Sequence, residues 1–157
     1  MGWVAGINKH AVSEMAISTM INIMRNFHNL SERLHRGEWP ARRGGRLLQG
    51  KTVGIHGCGN IGQEVVKRLQ PFGVDIIACD RADYSNFYNE FGVREVDTEE
   101  LWTNSQVLTI HLSRNQSTIG LYSAAVLDKL RPGIFLINTA RGRIIDEKAL
   151  YDRLKSG

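Results

Sequence analysis

Three glycines, Gly57, Gly59 and Gly62, fall at the spacing G-x-G-x-x-G in the stretch KTVGIHGCGNIG, residues 51–62. In that spacing each glycine has a separate task. The first permits a tight turn, the second lets the backbone approach a pyrophosphate, and the third lets a helix pack closely on a strand. A helix that starts just after the turn presents unpaired N–H groups and a positive dipole end to phosphate. Asp80 lies 18 residues past Gly62, near the spacing at which a carboxylate takes the hydroxyls of an adenosine ribose. The chemistry written in these residues is dinucleotide binding.

Such chemistry works only if a strand leads into the turn and a helix leaves it. Thr52, Val53 and Ile55 supply the β-type run, and residues 63–69 read as helix with Val65, Val66 and Leu69 on one face. A second strand-like run, Val74 and Ile76–Ala78, ends at Cys79-Asp80. Further along come a short third strand at 93–96, a helix opened by Asp97, a fourth strand at 107–112 and a helix at 123–130. Arg131-Pro132-Gly133 breaks that helix, and a fifth strand at 134–137, a polar turn at 138–142 and a last helix at 146–155 follow. Residues 81–91, polar and aromatic, read as a loop with some helix. Strands alternating with helices imply a parallel sheet covered on both faces, an α/β doubly wound arrangement of the Rossmann type. Ligands of such sheets bind at the carboxyl ends of the strands. The glycine turn, Asp80, His111 and residues 138–141 all fall there, so one crevice is expected to collect them.

Composition sets the outer bounds. The chain has 157 residues, enough for one domain with a sizeable core; 42% are hydrophobic and 23% charged, as in ordinary globular chains. No run of apolar residues is long enough for a membrane span, and the N-terminus lacks a signal-like apolar stretch, so neither a membrane partner nor a secretory leader is expected. Two cysteines make no disulfide framework and suit a reducing, cytoplasmic setting. Cys58 and Cys79 fall at the ends of adjacent strands; inert thiols are the default there and a redox pair the alternative. No metal site is expected. Net charge is +4, much of it from Arg33, His35, Arg36, Arg42, Arg43, Arg46 and Lys51. Without interleaved aromatics this reads as a solvated basic face, and no nucleic-acid partner is expected.

Ahead of the alternating region, residues 11–30 read as one long helix with Ile17, Met20, Ile21, Met24 and Phe27 along a stripe. A stripe that wide calls for a partner surface. A homodimer is expected, with folding back onto the chain's own sheet as the alternative. Residues 37–50, with Pro40 and four glycines, read as an irregular arm anchored by Trp39, Leu47 and Leu48.

Taken together these residues resemble the NAD-binding domain of the D-isomer-specific 2-hydroxyacid dehydrogenases. Four blocks carry the likeness: Gly6-Ile7-Asn8 with Ala11-Val12-Ser13-Glu14; residues 50–62 with Asp80; residues 111–118; and Asn138-Thr139-Ala140-Arg141-Gly142 with Ile144-Ile145-Asp146-Glu147 and Ala149-Leu150. The resemblance implies NAD as cofactor, held by Gly57, Gly59, Asn60, Ile61, Gly62, Asp80, His111, Leu112, Thr139, Ala140 and Arg141. It implies hydride exchange with a small 2-hydroxy or 2-oxo acid. Arg141 would be the catalytic arginine, its planar guanidinium matching the substrate carboxylate.

Two departures qualify the likeness. The family usually carries H-x-P-x-T after its fourth strand, whereas this chain reads His111-Leu112-Ser113-Arg114-Asn115; without the proline a looser loop is expected. The chain also resembles only the middle of such enzymes, without the family's downstream Glu and His. Residues 1–157 are therefore expected to form a partial NAD-binding domain without a substrate domain, catalytically incomplete alone. His56 is expected to pack, and His111 to pack or bond backbone rather than carry the proton. The alternative is a non-catalytic NAD-binding or regulatory module.

Overall fold

Consecutive apolar residues along four of five short strands bury both faces of one sheet, while the remaining strand, Arg94-Glu95, is exposed. The structure, a computed structural model, describes residues 6–39 and 44–156. Its elements run α1 (Lys9–Met24), α2 (Phe27–His35), β1 (Thr52–His56), α3 (Asn60–Leu69), a 3-10 turn (Gln70–Phe72), β2 (Asp75–Cys79), α4 (Ser85–Phe91), β3 (Arg94–Glu95), α5 (Thr98–Asn104), β4 (Val107–Ile110), α6 (Ala124–Lys129), β5 (Phe135–Asn138) and α7 (Glu147–Ser156). All strand pairs are parallel, in the order β3-β2-β1-β4-β5.

Register sorts the strand residues into two cores. Val53 faces Ile76 and Val107 across the ladders, and Val107 faces Phe135; all four join Ile55, Ala78 and Ile137 in one cluster. Val65, Val66 and Leu69 of α3 and Ala16, Met20 and Met24 of α1 cover that face. Ile77, Leu108 and Ile110 face the other way, under Leu101 and Trp102 of α5, Leu127 of α6 and Ile144. A parallel sheet buried on both sides is what strands this uniformly apolar require.

The expected helix over 11–30 is two helices. Asn26 takes a left-handed conformation at φ 55, which an Asn tolerates better than most residues, and the chain turns there before α2. Part of the stripe folds back on the chain's own sheet, as in the alternative, while Ile21 and Phe27 stay exposed. Ala16, Ile17, Met20 and Met24 are buried, and α1 packs against α3 and β5. A polar seam fixes this contact: Glu64 of α3 accepts from Arg68 and lies 2.9 Å from His10 of α1. The Arg68 hydrogen bond holds the Glu64 carboxyl below the usual carboxylate range against the opposing pull of burial.

The arm is anchored differently from the expectation. Leu48 is buried, but Trp39 and Leu47 are mostly exposed. Pro40, Arg42 and Arg43 lie outside the described residues. Of the remaining basic cluster, Arg33 and Arg36 both bind Glu38, and Arg46 sits over the Phe135 ring. Among the described residues no helix is long and apolar enough to cross a membrane.

Candidate cofactor crevice

All five strands run the same way, so their carboxyl ends share one edge of the sheet. β1 ends at His56, and Gly57, at φ 95, turns the chain into Cys58 and Gly59 before α3 starts at Asn60. A side chain at Gly57 would meet the backbone of His111 at 2.9 Å. One at Gly62 would meet the Gly57 carbonyl at 2.2 Å, so Gly62 is what lets α3 lie against the turn. Gly59 differs: a methyl there would find only the Tyr84 hydroxyl, 4.0 Å off, and otherwise point into open space. No side chain caps α3, whose first N–H groups therefore face the crevice uncapped.

Two adjoining hollows of about 570 and about 560 Å³ run along this edge and share Gly59, Tyr84, His111, Leu112 and Ser113. The first also takes in Asn60, Ile61, Ala140 and Arg141; the second takes in Gly57 and Asp80. Of the residues expected from sequence, only Gly62 and Thr139 fall outside the lining. Gly62 faces the turn, and the Thr139 hydroxyl is buried without a partner among the described residues. Gly6, Asn8, Tyr84, Ser113 and Arg114 line the hollows without having been expected there. All but Tyr84 belong to blocks of family likeness, which was the available signal; Tyr84 carried none.

Asp80 follows β2 and has a structural duty besides. One carboxylate oxygen accepts from the Cys58 N–H at 2.6 Å, the other from the Ala82 N–H at 2.9 Å. Each oxygen keeps a lone pair for a ribose hydroxyl. The acid thus ties the glycine turn to the end of β2 while facing the second hollow.

The two crevice histidines are neutral at ordinary pH. His111 follows β4; its Nε2 lies 3.0 Å from the Thr109 hydroxyl, and its Nδ1 is buried without a partner among the described residues. Burial pulls its pKa down to about 4. His56 packs as expected, with Nδ1 2.6 Å from the Tyr122 hydroxyl, and burial likewise brings it to about 4.

The cysteines do not pair. Cys58 belongs to the core under α3, Cys79 packs with the cluster on the opposite face, and the sheet lies between them. Burial also pushes the Cys58 thiol up to about 12, leaving it protonated and unreactive.

The loop without proline makes its own network of local hydrogen bonds. Thr118 donates to the Ser113 carbonyl at 2.8 Å and accepts from the Asn115 N–H at 2.8 Å; Asn115 Oδ1 accepts from Ser117 N–H at 2.9 Å. After β5, Asn138 closes its own turn, accepting from Ala140 N–H at 3.1 Å and donating to the Arg141 carbonyl at 3.0 Å. That turn presents Arg141 to the first hollow. Its guanidinium donates to the Ala140 carbonyl at 2.7 Å and joins no salt bridge among the described residues, so most of its donors remain available.

The edge suits a dinucleotide on the chain's own geometry. It offers a glycine cradle open at one position, an uncapped helix N-terminus, an anchored carboxylate, and buried polar atoms of His111 and Thr139 that lack partners. Among the described residues no group of His, Cys, Asp and Glu is placed to hold a metal ion.

Comparison with known proteins agrees. The family described as D-isomer specific 2-hydroxyacid dehydrogenase, NAD binding domain, matches residues 17–157. The chain is 34% identical over 153 residues to a D-3-phosphoglycerate dehydrogenase of Archaeoglobus fulgidus, covering 97% of this chain and 29% of that protein. It is 36% identical to a hydroxypyruvate reductase of Thermotoga maritima, covering 97% of this chain and 49% of the relative. A solved NAD-dependent formate dehydrogenase of Staphylococcus aureus in complex with NAD superposes with a TM-score of 0.86 at 32% identity, over 95% of this chain and 45% of that one. The chain thus spans half or less of the length of the relatives it matches. It belongs to the D-isomer specific 2-hydroxyacid dehydrogenase family, and carries that family's NAD-binding domain.

Proposed function

We propose that this chain is the cofactor-binding part of an oxidoreductase that moves hydride between NAD and a small 2-hydroxy or 2-oxo acid. The observation that carries the reading is the meeting of the glycine turn, Asp80 and Arg141 along one edge of the sheet. Asp80 would take the adenosine ribose, and the N-terminus of α3 at Asn60 and Ile61 the pyrophosphate. His111, Leu112, Thr139 and Ala140 would line the nicotinamide side. Bound NAD supplies the hydride acceptor. The chain's own contribution is placement: Arg141, free of carboxylate partners among the described residues, would hold the substrate carboxylate beside the ring.

A second reading is favoured by the state of the histidines. Desolvation lowers the pKa of buried His56 and partly buried His111 to about 4, so both are neutral at ordinary pH and neither carries a proton to deliver, although His111 shares the first hollow with Arg141. For these 157 residues alone, binding without turnover is the expectation, since an absent acid/base removes roughly 10²–10⁴ of rate. NADH titration and 2-oxo acid reduction on one preparation separate the readings. Saturable binding with no turnover favours the module, whereas turnover that disappears on Arg141→Ala places the chemistry on this chain.

We further propose a cytoplasmic homodimer. Two unpaired thiols suit a reducing compartment. Ile21, Ile23, Phe27 and Leu34 remain exposed on α1 and α2, an apolar face that a second copy could cover.

A further inference from the structure

The two hollows meet at a waist formed by Gly59 and Tyr84 on one side and by residues 111–113 on the other. A dinucleotide that occupies both must cross this waist with the link between its two nucleosides, which is the pyrophosphate. Gly59 is the one glycine of the turn whose missing side chain is not demanded by the protein itself. Only the Tyr84 hydroxyl stands over it, 4.0 Å from where a Cβ would be. A phosphate oxygen resting on Gly59 would fill that space, within hydrogen-bond reach of the phenol.

Tyr84 is built to present its hydroxyl there. The residue precedes α4, and its ring meets that of Tyr88 edge to face with centroids 6.3 Å apart. Tyr88 is itself buried, so the partly buried Tyr84 ring is held by packing while its polar end stays in the crevice. Among the described residues the hydroxyl makes no hydrogen bond. Burial, then the nearby Asp80 charge, pushes the phenol above its ordinary pKa, which keeps it a donor.

We propose that the Tyr84 hydroxyl donates a hydrogen bond to the pyrophosphate of the bound dinucleotide, clasping it onto Gly59 from the side opposite the start of α3. The inference rests on the reading of this edge as the NAD site and adds a contact the glycine motif does not contain. A neutral donor suits the position. The N-terminus of α3 already offers positive charge, and a phenol adds direction without drawing Asp80 away from the turn.

Tyr84→Phe tests it, because the ring and its packing remain. NADH binding followed by fluorescence, with ADP-ribose and adenosine binding by calorimetry, gives the readout without any turnover. Loss of a hydrogen bond to a charged group should weaken NADH and ADP-ribose about tenfold and leave adenosine and the ligand-free melting temperature unchanged. NADH affinity within about twofold of wild type would overturn the proposal. So would an equal loss for adenosine, which would make the phenol a platform for the base. A wild-type chain that binds ADP-ribose but gains nothing over Tyr84→Phe sinks the clasp alone; one that binds neither NADH nor ADP-ribose removes the site reading itself.

Discussion

Asp80 shows how one side chain can serve the fold and the ligand together. Both of its oxygens already accept backbone N–H groups, so its position is fixed before any ribose arrives. A fixed carboxylate accepts from a 2′-hydroxyl and repels a 2′-phosphate. NADH is therefore expected to bind more tightly than NADPH in calorimetry, and equal affinities would mean that Asp80 does not face the ribose. Ligand choice is a cleaner probe here than substitution, since replacing Asp80 would also untie the turn. The buried histidines make a second prediction. Their folded pKa values of about 4 lie below the ordinary 6.5, so between those values the unfolded chain takes up protons that the folded chain refuses. Their contribution to stability is full above about pH 6.5 and is lost as pH drops toward 4, at most about 3 kcal/mol for each imidazole. A urea midpoint measured from pH 7 to 4 should fall across this window; a flat profile would show solvated imidazoles. Position, not sequence, made these residues informative. That His111 would end a strand was legible, whereas its partnerless Nδ1 depends on packing from elements far along the chain.

The strand–turn–helix unit separates glycines that serve the fold from one that serves the ligand. Gly59 has φ −70, which any residue adopts, and open space beside it. Gly59→Ala should therefore melt within about 1 kcal/mol of wild type yet lose NADH affinity. Gly62→Ala drives a methyl into the Gly57 carbonyl and should cost roughly 1–3 kcal/mol, with a melting temperature lower by several degrees. Thermal melts of the two variants beside NADH titrations check the contrast, and equal melting temperatures would contradict it. Element types were readable because periodicity and glycine spacing are local: β1, α3 and β2 stand close to where their patterns put them. The long helix failed because its break at Asn26 is a single left-handed residue inside an otherwise continuous apolar pattern. For the cysteines the default of inert, unpaired thiols holds. Adjacent strand ends look close in sequence terms, but Cys58, in the turn after β1, packs into the core under α3, whereas Cys79, at the end of β2, packs with the other cluster.

At the scale of the whole molecule, the burial of α1 changes how its methionines should respond to substitution. Met20 and Met24 lie at 0% and 2% exposure in the core over the sheet, so they cannot report on a dimer contact. Met20→Lys with Met24→Lys places two ammonium groups in that core and should leave the chain unfolded by circular dichroism, not merely dissociated. The proposed dimer is better probed at Ile21, Ile23 and Phe27, where charge is tolerated by the fold. Sedimentation at low micromolar concentration should show a dimer in the wild type, and a monomer of 17.7 kDa would remove it. The packing of α1 on β5 reaches beyond the folded state. In synthesis this helix emerges ahead of all five strands, and β5, which completes its cover, is the last of the five. Until then the methionine face has α3 but not the far side of its seat, and apolar surface left waiting during synthesis is what invites aggregation and chaperone capture. The helix that precedes all five strands in synthesis is thus fully sheltered only when the fifth of them joins the sheet, so that late pairing sets the pace at which its apolar face becomes safe in solution.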